Sequence, residues 1–268
     1  MTPIAAPQDR EALRAMYPES DGNPMSDNTK QARWIFLIYG NLCALLAGRA
    51  DAFVAADNLW YPDRHRRKER QAPDVYAVFG RPKGDRGSYM QWLEDDIPLT
   101  VAFEILSPNN TTEEMIKKFL FYDHYGVEEY YVYDPDSNVL QIYTRGLATL
   151  RQCHDIAGFV SPRLGIRFEM TEPEMTVYKP NGVRFRTYEE LEAENEEEKE
   201  RREKAERQAD EAKKLADDNA KRADDNAKRA DDNARRADRL AELGRKVRRG
   251  QATPEETAEL ERLEDETA

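Results

Sequence analysis

From Tyr188 to Val247 the chain has no proline and a single glycine, Gly244. Nothing in that run interrupts a helix, and its Glu, Lys, Arg and Ala content favours one. Within it, "ADDNAKRADDNAKRADDNARRAD" repeats every seven residues. Alanine falls at 216, 220, 223, 227, 230, 234 and 237, at alternating spacings of four and three. That is the a/d seam of a coiled coil filled with alanine. Asp217–Lys221, Asp218–Arg222, Asp224–Lys228 and Asp225–Arg229 are i,i+4 pairs in the favourable orientation, each contributing about 0.2–0.5 kcal/mol. A solvated single helix and a close-packed pair of helices both satisfy this pattern. Leu215, Leu240 and Leu243 favour the pair, so a homodimer is expected. "ATPEETAELERLE" then restarts a helix, with Thr253 as N-cap, Pro254 at the first helical position and Glu256 completing a capping box.

A rod of this kind cannot form a core, so a globular body must come from the residues before it. Charge divides the chain at the same place. The net charge of −12 splits into −4 over residues 1–188 and −8 over 189–268. Such a balance argues against a general nucleic-acid coat or an anionic-membrane binder, while leaving room for a local basic groove. Cys43 and Cys153 are too few for a disulfide framework or a zinc site. The first residues lack a basic stretch followed by an apolar one, and no stretch approaches 18 apolar residues. A reduced, cytoplasmic protein without membrane association is expected.

Along the first part of the chain the patterns alternate. A short helix is expected at 8–16. Residues 31–47 place Trp34, Ile35, Ile38, Leu42, Leu45 and Leu46 at helical spacing. Strands are expected at 52–57, 73–79, 100–106, 128–134 and 139–144, with shorter ones near 148–153, 165–169 and 175–179. "NNTTEEMIKKFLFYDHYG" reads as a helix between two strands, capped by Thr111 with Glu114. The order predicts an α/β fold with a mixed central sheet flanked by helices. The expected division is an extension at 1–30, the α/β domain at 31–188, the long helix at 189–249 and a short helix at 250–268.

Two of the strands carry an acid. "PDVYAVF" holds Asp74 directly after Pro73. "VAFEIL" holds Glu104 in a run that is apolar on both faces, where an unpaired carboxylate costs several kcal/mol. If these strands are neighbours, the two carboxylates converge, and a hard divalent cation would relieve their repulsion. On the following helix Met115, Ile116, Phe119, Leu120 and Tyr122 are expected to face the core. That puts Lys118 on the flank of the buried face and Lys117 toward solvent. Ser107 is a candidate partner behind Glu104, and Tyr122 and Tyr130 are candidates to pack or hydrogen-bond nearby. Two basic stretches, "RHRRKER" and "RPKGDR", flank the Asp74 strand. Arg64, Arg66, Arg67, Lys68, Arg81 and Lys83 are the candidate phosphate contacts. The three histidines are scattered, and no Gly-rich phosphate loop is present, so a histidine metal site and an NTPase lack support.

"APDVYAVFGRPKGDRGSY", "FEILSPNN" and "KKFLFYDHYGVEEYYVYDPDSNVLQIY" occur in that order. Together they resemble the Uma-two family of restriction endonuclease-like proteins, within the PD-(D/E)XK nuclease superfamily. The resemblance spans roughly residues 17–190 and is densest between 72 and 144. It implies a restriction-endonuclease-like core and a Mg²⁺-dependent endonuclease, with Mn²⁺ as a possible substitute and DNA as partner. It also implies roles: Asp74 and Glu104 as metal-binding catalytic acids, Ile105 offering its backbone carbonyl to the metal, and Lys118 as the catalytic lysine. The usual lysine position two residues after Glu104 is Leu106, so the lysine has moved to the helix. Residues 31–47 hold no acid where many superfamily members have one; Asn28 and Gln31 are the polar candidates there. The alternative reading is a catalytically silent nucleic-acid-binding or coiled-coil assembly module.

Overall fold

The computed structural model describes residues 7–265. Residues 1–6 of the expected extension and 266–268 of the expected last helix lie outside the described residues. The elements run α1 (Pro7–Met16), α2 (Thr29–Leu45), β1 (Ala52–Ala56), β2 (Trp60–Tyr61), β3 (Val75–Phe79), β4 (Tyr89–Met90), β5 (Val101–Ile105), α3 (Thr112–His124), β6 (Glu129–Asp134), β7 (Val139–Arg145), β8 (Leu150–Cys153), β9 (Arg167–Glu169), β10 (Thr176–Tyr178), α4 (Tyr188–Arg248) and α5 (Pro254–Asp265). Two compact units meet at Glu192 and Ala193.

In the first unit, six strands form one sheet in the order β1-β3-β5-β6-β7-β8. Only β5 and β6 pair in parallel; the other neighbours are antiparallel. A parallel pair needs a crossover, and α3 supplies it. The sheet is mixed, as the alternation of patterns predicts. Every residue of β5 is buried, which is why its apolar run is continuous rather than alternating.

The two faces carry two cores. Val75, Ala77, Val101, Phe103, Ile105, Tyr131 and Tyr133 pack against Trp34, Ile35, Ile38 and Leu42 of α2. Burial of each such helix side chain contributes roughly 1.5–3 kcal/mol relative to exposure. Tyr76, Val78, Ala102, Tyr130 and Val132 point to the other face, where Tyr122, Met115 and Phe119 of α3 meet them. This is the period-two alternation of a strand at work.

On α3 the expected face needs correction. Ile116 and Leu120 are exposed, and Tyr122 is the fully buried residue. At about 100° per residue, Met115, Lys118, Phe119 and Tyr122 form the stripe toward the sheet, leaving Ile116 and Leu120 to one side. Thr111 caps the helix by accepting from the Glu114 N–H at 3.2 Å. Glu114 turns its carboxylate to Asn110 and Lys118, with 3.4 Å and 3.9 Å contacts, rather than back to the cap. Short β2 and β4 form a separate parallel pair that sequence patterning does not reveal.

The second unit contains the rest of α4 and α5. The seven seam alanines of α4 are exposed, and Asp224–Lys228 and Asp231–Arg235 close as i,i+4 pairs at 2.8 and 2.9 Å. α5 folds back on the end of α4. Glu259 meets Arg239 at 2.8 Å, Glu256 meets Lys246 at 2.8 Å, and Leu243 is buried. The capping box is reciprocal: Thr253 N–H donates to Glu256, and Glu256 N–H donates to the Thr253 hydroxyl. Among the described residues, no helix is long and apolar enough to cross a membrane.

Candidate functional site

Strand register brings the acids together. Ala56 lies opposite Val75, Val75 opposite Phe103, and Glu104 opposite Val132. One step along each pairing sets Asp57 opposite Asp74, and Asp74 opposite Glu104. All three share the parity of Phe53, Tyr76 and Ala102, so they share the α3 face. Three carboxylates therefore form a row across the ends of β1, β3 and β5.

Glu104 is the most enclosed of them, with 2% of its surface exposed. α3 supplies its partners. Lys118 Nζ donates to Glu104 Oε2 at 2.8 Å, and the Tyr122 hydroxyl donates to Oε1 at 2.5 Å. Lys118 and Tyr122 stand four apart, on adjacent turns of one helix face, so a single helix delivers both donors. Burial alone would discharge Lys118; the Glu104 carboxylate overrides that and holds the ammonium above the ordinary lysine range. Burial, reinforced by Glu104, also pushes Tyr122 well up, so it remains a protonated donor.

Asp74 is half-buried and accepts from the Ile105 N–H through Oδ2 at 2.5 Å. Burial and the neighbouring Glu104 charge push its carboxyl well above the carboxylate range, while the Ile105 N–H and Lys118 pull it back. Asp57 is a residue that sequence reasoning missed. Its φ of +47° is left-handed, which a non-glycine residue adopts at a cost, and its N–H reaches the Pro73 and Asp74 carbonyls. Burial and the charge of Asp21 push Asp57 upward, and Lys118 pulls it down. Asp57 lies one residue past the end of β1, and local sequence pattern does not mark it.

The segment before α2 closes one side. Gln31 Nε2 donates to the Ile105 carbonyl at 2.8 Å, while its Oε1 accepts from the Asp27 N–H. Asn28 is the N-cap of α2 and accepts from the Gln31 N–H. Ser107 is not a partner of Glu104: its hydroxyl donates to Asp27 at 2.5 Å, and its N–H donates to Asn110. Tyr130 packs on Tyr122 and Tyr143, with ring centroids 4.9 and 5.6 Å apart. Among the described residues, its buried hydroxyl has no hydrogen-bond partner.

The basic candidates separate into two kinds. Arg64, Arg67 and Lys68 are exposed on the loop between β2 and β3. Arg66, on the same loop, pairs with Glu69 at 3.2 Å and Asp63 at 3.7 Å. The Arg81 side chain is only 12% exposed and is held by Glu94 and Asp95. Lys83 donates to the Ala47 carbonyl. Arg81 is thus held by acids, whereas Lys83 is exposed.

A hard divalent cation fits the chemistry of this donor set. Asp74 and Glu104 are adjacent like charges, and the Ile105 carbonyl, which accepts from Gln31, belongs to the residue whose N–H binds Asp74; all are hard oxygen donors. Among the described residues, no group of three or more His, Cys, Asp or Glu side chains is arranged to hold an ion by itself. The protein would therefore supply few ligands, and water the rest.

A crystal structure of "a putative nuclease belonging to DUF820" from Anabaena variabilis ATCC 29413 is 15% identical. It aligns over 53% of this chain and 76% of its own, with a TM-score of 0.40. None of the curated proteins matches. The family model Uma2, described as "Putative restriction endonuclease", matches residues 13–171. That match covers more than half of the chain, including Asp57, Asp74, Glu104 and Lys118, and the chain belongs to this nuclease family.

Proposed function

We propose that the protein is a metal-dependent endonuclease that hydrolyses phosphodiester bonds in DNA. One observation carries the reading: Glu104, enclosed in a central strand, is held by Lys118 and Tyr122 in the same cross-strand row as Asp74. In this reading Asp74, Glu104 and the Ile105 carbonyl hold Mg²⁺ or Mn²⁺. A cation there supplies an acidified water and neutralises charge on the phosphate. Lys118, an ammonium paired with Glu104, would act as a fixed positive charge beside the reacting phosphate. Tyr122 fixes the orientation of Glu104, and the Ile105 N–H fixes Asp74. Supercoiled DNA incubated with Mg²⁺ or Mn²⁺ should be nicked or cut by the wild type and left intact by Glu104→Gln. Equal cleavage by the two proteins would refute the assignment. Pairing of two copies through the alanine seam of α4 belongs to the same reading and would supply one site per DNA strand.

A second reading is a silent binding or assembly module. The observation in its favour is internal satisfaction: Lys118 already closes on Glu104, and Gln31 already occupies the Ile105 carbonyl. Calorimetric titration with Mn²⁺ separates the two. Binding that Asp74→Asn removes supports the nuclease, and absence of binding supports the module.

A further inference from the structure

The loop between β2 and β3 is built on a repeat of three. The Arg66 N–H donates to the Asp63 carbonyl at 3.2 Å, and the Glu69 N–H donates to the Arg66 carbonyl at 2.8 Å. Two turns thus follow one another. Their end residues, Asp63, Arg66 and Glu69, come together, and the Arg66 guanidinium sits between the two acids. Their central residues are Arg64 and His65 in the first turn, then Arg67 and Lys68 in the second. Central residues of a turn lie at its outer corner, and all four are exposed. The sequence "RHRRKER" looks like a uniform basic run. The fold sorts its five Arg and Lys side chains into one tied to acids (Arg66), one set against the Tyr61 ring (Arg70) and three outward cations.

Those three are clustered on one loop. Elsewhere Arg and Lys are mostly spent on acids: Arg33 on Glu174, Arg49 on Asp51, Arg163 on Glu128. Among the described residues, Arg64, Arg67 and Lys68 have no acidic partner, in a chain whose net charge is −12.

The loop is also anchored. The buried Tyr17 donates its hydroxyl to the Arg64 carbonyl at 2.7 Å. Trp60 and Gln71 exchange N–H···O bonds at 2.7 and 3.3 Å and close the base. Glu69 accepts from the Tyr125 hydroxyl just past the end of α3. The Arg70 guanidinium lies 5.8 Å from the Tyr61 ring centroid. Cations on a pre-ordered loop lose less entropy on binding than cations on a mobile one. Lys68 precedes Asp74 by six residues, so chain geometry keeps it within about 20 Å of the acid row.

We infer that residues 63–70 form a fixed clamp for the phosphate backbone of duplex DNA. Arg64, Arg67 and Lys68 make the contacts, and Arg66, itself exposed, ties Asp63 to Glu69 at the ends of the two turns. The choice of DNA rests on the nuclease reading above; the clamp itself rests on the loop. The test uses full-length Glu104→Gln protein and a labelled DNA duplex, followed by fluorescence anisotropy across a salt series without metal. Adding Arg64→Ala, Arg67→Ala and Lys68→Ala should weaken binding. It should also reduce the slope of log affinity against log salt by about 2.7, or roughly 0.9 for each phosphate no longer neutralised. Arg151→Ala with Lys179→Ala, two other cations without acidic partners among the described residues, should leave both unchanged. An unchanged slope in the triple variant, or no DNA binding by its parent, would overturn the clamp. Tighter binding of duplex RNA, or equal loss of affinity in the control pair, would overturn the assignment to DNA or to this loop. Mn²⁺ calorimetry on the triple variant in the wild-type background should match wild type. Failure of the nuclease reading would appear differently, as absent Mn²⁺ binding and cleavage alongside an intact salt slope.

Discussion

Replacing Lys118 with methionine tests the central contact. Methionine keeps the length and apolar stem of lysine but removes the charge. Lys118 Nζ lies 2.8 Å from Glu104 Oε2, with 14% and 2% of the two side chains exposed. Removing one partner of a buried pair costs about 3–5 kcal/mol, because the other charge is left uncompensated. Tyr122 still donates to Glu104 in the variant, which favours the low end, about 3 kcal/mol. For a unit of this size that corresponds to a fall in Tm of roughly 6–12 °C. The three tryptophans, at 34, 60 and 92, all precede residue 193, so their fluorescence reports the first unit without interference from the long helix. Glu104→Gln and the double variant complete a thermodynamic cycle, and the double variant should recover much of the loss. The pH dependence has a defined sign. The folded-state pKa of Lys118 is raised, so the stabilisation is fully present below the ordinary lysine value of about 10.4 and disappears as pH rises through the higher folded value. Stability from this pair should therefore be flat from neutral pH to about 10. A Lys118→Met variant that loses under about 1 kcal/mol, with no coupling to Glu104→Gln, would refute the buried-pair reasoning.

Tyr122→Phe removes only the hydroxyl that orients Glu104; cleavage or Mn²⁺ affinity should fall about 10–100-fold, and stability should fall by about 1.5–3 kcal/mol because a buried hydrogen bond to a carboxylate is lost. Asp57→Asn should stabilise the metal-free protein slightly at neutral pH, since it removes an exposed carboxyl that partial desolvation and the charge of Asp21 push upward. The sign follows from its raised folded-state pKa: wild-type stability declines as pH rises from about 4 through that value, whereas Asp57→Asn should stay level across the same window. If denaturation midpoints of the two proteins run parallel across that range, the repulsion is absent. Ala223→Glu with Ala227→Glu would place charges on the α4 seam and should shift a dimer to monomer in sedimentation velocity; an unchanged association state would remove the seam from the assembly.

Much of the sheet was legible because buried strands leave a strong trace. The strand at 101–105 is apolar on both parities, so Glu104 was visible by contrast alone. Helical spacing puts Lys118 on the flank of the expected face, whereas it lies within the stripe that meets the sheet. What stayed hidden depends on contacts between distant parts of the chain. Asp57 joins Asp74 only through the register of β1 on β3, which no local pattern encodes. Gln31 reaches the Ile105 carbonyl across 74 positions of sequence. Ser107 turns to Asp27 for the same kind of reason. Hydrophobicity by itself misplaces the α3 face. Ile116 and Leu120 are apolar and exposed, whereas the cationic Lys118 lies nearer the sheet than either. Arg81 and Arg67 look alike in sequence; only the position of Glu94 distinguishes a structural arginine from a free one.

The amide of Gln31 leaves the site with a built-in reporter. A carbonyl oxygen has two lone pairs, and Gln31 already engages that of Ile105. A cation drawn to the same oxygen must share it with the amide or displace it. Either event polarises or frees the Gln31 NH₂, and its Oε1 transmits the change to the Asp27 N–H. The side-chain NH₂ resonance of Gln31 in a ¹⁵N-labelled sample should therefore move as Mg²⁺ is titrated. Occupancy could then be followed by a nucleus that takes no part in catalysis, in a protein given no substrate at all.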